Sequence, residues 1–151
     1  MMDVARQEAT IAAAPEDLWA VLVDFERYPT WARDLKHVEV LERDAEGRGV
    51  EVLFRAAAMG RSTTYVLRYD HSEAPNRLPW RFVRGDIMRR LDGEYRFEVV
   101  TDANGEEATK VVYELEVELI IPLPGFVKRR AEHKIMHTAL DELRAAVSQS
   151  A

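Results

Sequence analysis

Cysteine is absent from this sequence, and no long apolar run occurs in it. A chain without thiols has no disulfide, no thiolate metal ligand and no cysteine nucleophile. Nowhere does the chain approach the about 20 consecutive apolar residues of a membrane-spanning helix. Residues 1–7 also lack the basic and apolar regions of a secretion signal. We therefore expect a soluble, cytoplasmic protein without stable membrane insertion.

Positive charge is scarce as well. The chain has 21 Lys and Arg residues against 27 Asp and Glu residues, which gives a net charge of -6. Affinity for nucleic acid is built on clustered cations. Only two short basic groups occur, Arg89-Arg90 and residues 128–130. We expect no nucleic-acid partner.

The usual motifs of catalysis are missing too. Ser62 and Ser72 have no recognisable triad context, and there is no glycine-rich phosphate loop. His133 and His137 have the spacing of two helical metal ligands, but the HExxH order is not formed. We expect no metal and no cofactor, and we exclude hydrolase and kinase functions.

The clearest positive signal is a C-terminal helix from Phe126 to Val147, which follows a break at residues 122–125. At 100° per residue, one half of this helix is apolar and is predicted to be buried; its residues are Ala131, Ile135, Met136, Ala139, Leu140, Leu143, Ala146 and Val147. Lys128 and Glu132 continue the Met136 stripe toward the start of the helix. Polar groups on that stripe either reach solvent at a rim or face a partly wet cavity.

The remainder of the chain is dominated by alternating apolar and polar residues, which is typical of strands. Before the second strand, Pro15 with Glu16 and Asp17 predicts the start of a helix, and a second short helix is limited by Pro29. The predicted strands are Asp3 to Ala13, a segment from Lys36 onward that ends before the turn at residues 46–49, Val50 to Ala58, Thr63 to Asp70, Trp80 to Arg84, Glu94 to Val99, and Lys110 to Leu119.

These elements predict a single α+β domain over residues 1–151, since 47% hydrophobic content provides one sizeable core. About seven antiparallel strands form a sheet wider than one helix, so the sheet must curve around the helix to cover its apolar face. Beside Lys128 and Glu132 the aromatic residues of the facing strands have no dry partner. We expect a ligand cavity there.

Three stretches carry a family likeness: IAAAPEDLW at residues 11–19, DFERYPTW at residues 24–31, and IPLPGF at residues 121–126. With them the chain resembles, over essentially its whole length, the polyketide cyclase/dehydrase and lipid-transport superfamily, also called START-like, SRPBCC or Bet v 1-like. The resemblance implies a helix-grip fold, with a seven-stranded antiparallel sheet wrapped on the C-terminal helix around a deep apolar cavity. It also implies that Trp31 lies near the mouth or wall of that cavity.

The candidate site follows from the pattern and the resemblance together. The predicted ligand-binding residues are Trp31, Phe54, Tyr65, Trp80, Phe82, Tyr95, Phe97, Tyr113, Lys128, Glu132 and Met136. Each aromatic residue taken alone can equally be part of a closed core. Lys128 and Glu132 can form a surface ion pair one turn apart, or Glu132 can face the cavity and bind a ligand oxygen. Arg84 shares the predicted face of Trp80 and Phe82, or it lies in solvent at a strand end.

Three functions remain open at this point. The first is binding, and possibly transport, of a small hydrophobic or aromatic ligand in the cavity. The second is a polyketide aromatase/cyclase or dehydratase, which the resemblance suggests, with Glu132, Arg84 and Tyr65 as candidate catalytic residues. The third is an interaction module without a ligand, whose basic residues 128–130 dock on an acidic partner or a membrane surface. The sequence predicts no oligomeric state.

Overall fold

The computed structural model describes residues 4–58 and 60–150, so the predicted beginning of the first strand at Asp3 lies outside the described residues. The strands are β1 (Ala5–Ile11), β2 (Leu35–Arg43), β3 (Gly49–Ala58), β4 (Arg61–Tyr69), β5 (Arg77–Gly85), β6 (Met88–Thr101) and β7 (Glu107–Leu119). The helices are α1 (Pro15–Val23), a 3-10 helix (Phe25–Thr30) and α2 (Gly125–Ser150).

The strands form one sheet in the order β1-β7-β6-β5-β4-β3-β2, and all neighbouring strands are antiparallel. From β2 to β7 each strand pairs with the next one in the chain, while β1 joins the free side of β7. The curved sheet and the long C-terminal helix confirm the predicted helix-grip α+β fold. Among the described residues, no helix has the length and apolarity needed to cross a membrane.

Helix α1 begins where the sequence predicts it. Pro15 occupies the first turn, where its missing N–H costs nothing, and two acidic residues follow it. Leu18 and Leu22 are buried. The Tyr28 hydroxyl donates a hydrogen bond to the Leu22 carbonyl and thereby ties the 3-10 helix to α1. This corner closes one end of the sheet.

Helix α2 packs against β1, β7 and α1. Its second half is core, as predicted: Leu140, Leu143 and Val147 are all buried. The first half differs from the prediction at Ile135, which is 52% exposed. Placing Ile135 on the buried half was wrong, because the sheet curves away from this part of the helix and leaves a space. That space is the candidate site.

Candidate functional site

A cavity of about 280 Å³ lies between the sheet and the first half of α2. Its wall is formed mainly by aromatic and aliphatic side chains from β3 to β7, the 3-10 helix and α2. Ile135 lines the cavity and is 52% exposed, so the cavity reaches the surface beside it. The exposed carboxylate of Asp34 lies at the wall as well. The site is thus a largely apolar cavity with a polar opening.

Eight of the predicted ligand-binding residues line this cavity: Trp31, Phe54, Tyr65, Trp80, Tyr95, Tyr113, Lys128 and Glu132. They come from five strands, the end of the 3-10 helix and α2. The inner faces of consecutive antiparallel strands bring these side chains together, because every second residue points to the same side of the sheet. Their role in binding a ligand stays a prediction.

Three predicted residues lie outside the lining. Met136 is fully buried in the closed core below Glu132. Phe97 is buried and stacks on Tyr95, with ring centroids 6.4 Å apart. Phe82 packs against the core, and its ring leans over Gly85, where an added Cβ would come within 3.0 Å of it. The inner face of the sheet therefore continues beyond the cavity into solid core.

Arg84 does not share the face of Trp80 and Phe82, and of the two alternatives the structure fits an arginine in solvent near the end of β5. Phe82 pairs with Leu67 but Arg84 pairs with Val66, so one residue of β5 has no partner on β4. An additional residue in one strand reverses the alternation beyond it. Arg84 consequently lies on the other side of the sheet, exposed to solvent and away from the cavity.

Lys128 and Glu132 form an ion pair, with 3.8 Å between Lys128 Nζ and Glu132 Oε2. The pair is not a surface pair, however. The Glu132 side chain is only 7% exposed and that of Lys128 is 30% exposed. The two charges therefore lie at the wall of the cavity, where a carboxylate and an ammonium group face a largely apolar space.

Several polar groups of the wall are already hydrogen-bonded within the protein. The Thr63 hydroxyl donates to Asp86 Oδ1 at 2.6 Å. The hydroxyls of Tyr95 and Tyr113 share a hydrogen bond, and their ring centroids are 4.5 Å apart. These groups fix the wall more than they offer contacts to a ligand.

Two other tyrosines have hydroxyls that remain available. Among the described residues, no hydrogen-bond partner is found for the hydroxyl of Tyr65 or Tyr69, and both residues line the cavity. Tyr65 stacks on Phe54 with ring centroids 5.4 Å apart, which holds its orientation. A ligand oxygen in the cavity can therefore accept a hydrogen bond from either phenol.

Burial controls the protonation of the phenols. The chain has five tyrosines, and the loss of solvent raises the pKa of each above its usual value; they are Tyr28, Tyr65, Tyr69, Tyr95 and Tyr113. At neutral pH the phenols of the cavity are thus neutral hydrogen-bond donors.

Trp80 is central to the aromatic wall. Its ring centroid lies 5.4 Å from that of Tyr95, 5.8 Å from Tyr69 and 5.8 Å from Tyr113. The indole lies directly on Gly93 of the neighbouring strand β6, where an added Cβ would be 2.7 Å from Trp80 Cζ2. A glycine at this position is what lets the large ring lie flat against the sheet.

The sequence reasoning missed much of the aliphatic wall. The missed lining residues of the strands and of the segment before α2 include Leu67, Leu91, Leu115, Val117, Leu119 and Leu123. The signal was present, because Leu115, Val117 and Leu119 alternate on β7 in phase with Tyr113. Following that phase to the end of the strand would have found them.

His133 and His137 lie on the exposed side of α2, with their rings stacked at 6.0 Å. The His133 ring contacts Gln7 Nε2 at 2.8 Å, and His137 lies 3.4 Å from Asp141. Within the described residues, no group of three or more His, Asp or Glu side chains is arranged to hold a metal ion.

Solved structures show the same architecture. A START superfamily protein from Mycobacterium smegmatis has a TM-score of 0.86 at 20% identity, covering 98% of this chain and 99% of that one. The ZhuI aromatase/cyclase from Streptomyces sp. R1128 has a TM-score of 0.81 at 20% identity, covering 99% and 95%. Ginseng major latex-like protein 151 from Panax ginseng has a TM-score of 0.68 at 11% identity, covering 96% and 97%. At such identities the likeness establishes the fold.

A search of curated proteins gave no match. The family model described as polyketide cyclase / dehydrase and lipid transport matches residues 2–148. That match includes every strand, both α-helices up to Ser148 and all the residues around the cavity. The chain therefore belongs to the polyketide cyclase/dehydrase and lipid transport family.

Proposed function

We propose that this protein is a cytoplasmic carrier that encloses a small apolar or aromatic ligand between its sheet and helix α2. The observation that carries the proposal is the cavity of about 280 Å³ with a mainly apolar wall. This volume is near the small end of ligand sites, which span about 300–1,000 Å³. A compact polyketide-like or isoprenoid ligand fits such a space better than a long extended lipid.

Burial of the ligand supplies most of the affinity. Removing about 300 Å² of apolar ligand surface from water is worth about 7.5 kcal/mol before the cost of immobilising the ligand. The phenols of Tyr65 and Tyr69 and the Lys128–Glu132 pair then orient the ligand. We infer that the ligand carries one or two oxygen substituents on an apolar framework.

A direct test is native mass spectrometry of the purified protein, followed by organic extraction of anything that is bound. We expect a stoichiometric apolar adduct, or an empty protein that binds the neutral fluorescent probe N-phenyl-1-naphthylamine at one site. A protein that carries no adduct and does not bind the probe would contradict the proposal.

A cavity-filling substitution locates the binding. Ala139 lines the cavity on α2, whereas Ala145 is exposed on the same helix. Ala139→Phe places a ring in the cavity and should weaken probe binding at least about tenfold, the scale of one buried side chain. The matched variant Ala145→Phe should bind as the wild type does. Equal binding by both variants would place the probe elsewhere.

The second candidate is a cyclase or dehydratase, and the partly buried Lys128–Glu132 pair favours it. A carboxylate and an ammonium group beside an apolar cavity can move a proton or polarise a carbonyl of a folded poly-β-ketone. Turnover distinguishes the two functions. An enzyme converts a poly-β-ketone and loses that conversion in Glu132→Gln while probe binding persists, whereas a carrier shows no conversion to lose.

A further inference from the structure

The segment that joins β7 to α2, residues 120–126, exposes three large apolar side chains. Ile120 is 44% exposed, Ile121 is 75% exposed and Phe126 is 63% exposed. We call residues 120–126 the hinge segment. Isolated exposed apolar residues are normal on a protein surface, but three within seven residues are a concentration that suggests a contact.

Unpaired cations follow the hinge segment directly. Arg129, Arg130 and Lys134 are exposed. In the part of the chain that the structure describes, none of the three has an ion-pair partner; the pair formed nearby is Lys128–Glu132. The whole chain carries a net charge of -6, so this end of α2 reverses the overall sign. A surface of this kind selects a negatively charged partner.

The hinge segment is continuous with the cavity wall. Leu119, just before it, and Leu123, within it, both line the cavity. The backbone N–H of Ile120 donates to the Ile87 carbonyl at 3.0 Å, and Ile87 is also a lining residue. Ile135 of α2, which is exposed and lines the cavity, lies at the opening. Whatever covers the hinge segment therefore lies next to the cavity.

We propose that the hinge segment and the start of α2 dock the protein on an anionic lipid bilayer. Ile121 and Phe126 enter the boundary between headgroups and acyl chains, and the free cations lie against lipid phosphates. Stable peripheral attachment takes two weak signals of this kind, apolar insertion and a basic patch. Three side chains on a short segment suit a bilayer better than the larger flat patch that a stable protein interface buries.

Docking in this position brings the cavity opening to the bilayer, so an apolar ligand enters or leaves without crossing water. This functional consequence rests on the proposed carrier function, whereas the docking itself does not. The two are measured separately: vesicle binding tests the docking, and N-phenyl-1-naphthylamine binding without vesicles tests the cavity. A protein that binds the probe but not vesicles loses only the docking proposal.

The test is flotation of the full chain with vesicles of phosphatidylcholine alone or mixed with phosphatidylglycerol. We expect binding to the mixed vesicles only, and a decline as salt shortens the Debye length from about 10 Å at 0.1 M to about 3 Å at 1 M. Phe126→Ser should weaken binding at least about tenfold, since it removes one inserted ring. Arg129→Glu should weaken it at least about fivefold, the effect of one cation at the surface.

Matched controls lie elsewhere on the surface. Val99 is 54% exposed on β6, about 36 Å along the strand from the end that pairs with Leu119. Val99→Ser and Arg81→Glu, the latter exposed on β5, should leave flotation unchanged. All four variants should keep wild-type probe binding, which shows that they fold.

Two results would overturn the docking proposal. One is the absence of flotation with the mixed vesicles at low salt. The other is flotation that is insensitive to Phe126→Ser while immobilised polyglutamate captures the protein equally well. That second result would assign the cations to an acidic protein partner and leave the apolar residues without a role.

Discussion

Glu132 is an ionisable residue in a buried position at the wall of the cavity. A carboxylate that is 7% exposed beside an apolar cavity has lost most of its hydration, a cost of several kcal/mol for an ion that is not compensated. The Lys128 ammonium group, with its Nζ 3.8 Å from Glu132 Oε2, offsets part of this desolvation. Lys128 is itself 30% exposed, so its long side chain joins the buried charge to the solvent at the opening.

The Lys128–Glu132 pair should contribute to stability. Lys128→Met removes a positive charge beside a buried carboxylate and should lower the free energy of unfolding by about 1–3 kcal/mol. A fully buried pair loses about 3–5 kcal/mol, and the partial exposure of Lys128 reduces the effect. In a Glu132→Gln background the same substitution should cost less than about 0.5 kcal/mol. Urea unfolding of the wild type, the two single variants and the double variant measures the interaction energy between the two side chains.

The control for that cycle is Lys134→Met. Lys134 is exposed on the same helix and has no ion-pair partner among the described residues. Its substitution should change the free energy of unfolding by no more than about 0.5 kcal/mol. Additive effects of Lys128→Met and Glu132→Gln would show that the pair contributes no interaction energy.

At the scale of the elements, alternation along the strands predicted a curved antiparallel sheet over one helix and most of the aromatic wall, whereas the helix-grip architecture came from the family resemblance. Tyr65 on β4 and Tyr113 on β7 lie on the predicted faces because both strands keep a regular two-residue period there. Arg84 was misplaced because a bulge in β5 reverses the period, and no residue type in the sequence marks it. A pattern predicts a face only as far as the register remains regular.

The boundary between cavity and core was also beyond the sequence. Met136 and Glu132 lie on one stripe of α2, yet Met136 is in closed core and Glu132 lines the cavity. Phe97 and Tyr95 show the same division on β6. Where the sheet curves away from the helix depends on the twist of seven strands together, and no single strand encodes it.

The close contact between β5 and β6 gives a prediction at this scale. A Cβ at Gly93 would lie 2.5 Å from the Glu114 carbonyl oxygen and 2.7 Å from Trp80 Cζ2. Gly93→Ala should therefore displace the indole and lower the free energy of unfolding by about 1–3 kcal/mol. It should also weaken probe binding, since Trp80 lines the cavity. Thermal unfolding and probe titration measure the two effects.

Gly125→Ala is the matched control. At this first residue of α2 an added Cβ meets only the flexible end of the Arg129 side chain, at 3.2 Å. Its effect on the free energy of unfolding should stay within about 0.5 kcal/mol. If both alanine variants had the same stability, the Trp80–Gly93 contact would not restrict the sheet.

At the scale of the whole molecule, one apolar interior performs two tasks. One end is closed by α1 and the second half of α2 and supplies the packed core. The other end contains the cavity. No helix of the described residues fills this space, and contacts between aromatic rings hold the side chains of its wall in place. The stability of the fold and the proposed binding of a ligand therefore involve the same aromatic residues, above all the tyrosines.

The tyrosines predict how the molecule responds to alkali. Burial raises the pKa of all five, so above pH of about 10 the folded protein holds phenolic protons that the unfolded chain releases. This contribution to the free energy of unfolding is complete below that pH and is lost as the pH rises. Above pH of about 10, each tyrosine lowers the free energy of unfolding by up to about 1.4 kcal/mol per pH unit. The five together lower it by up to about 7 kcal/mol per pH unit.

The free energy of unfolding of a domain is only about 5–15 kcal/mol. This protein should therefore unfold within about two pH units above pH 10. Absorbance at 295 nm, which reports tyrosinate, should stay flat through pH 10 and then rise in one step together with the loss of far-ultraviolet circular dichroism. The protein in guanidinium chloride is the control and should titrate near pH 10 without a step. Gradual ionisation of the tyrosines near pH 10 in a protein that stays folded would mean that water reaches the phenols freely, and the cavity would then not be the apolar enclosure that ligand binding requires.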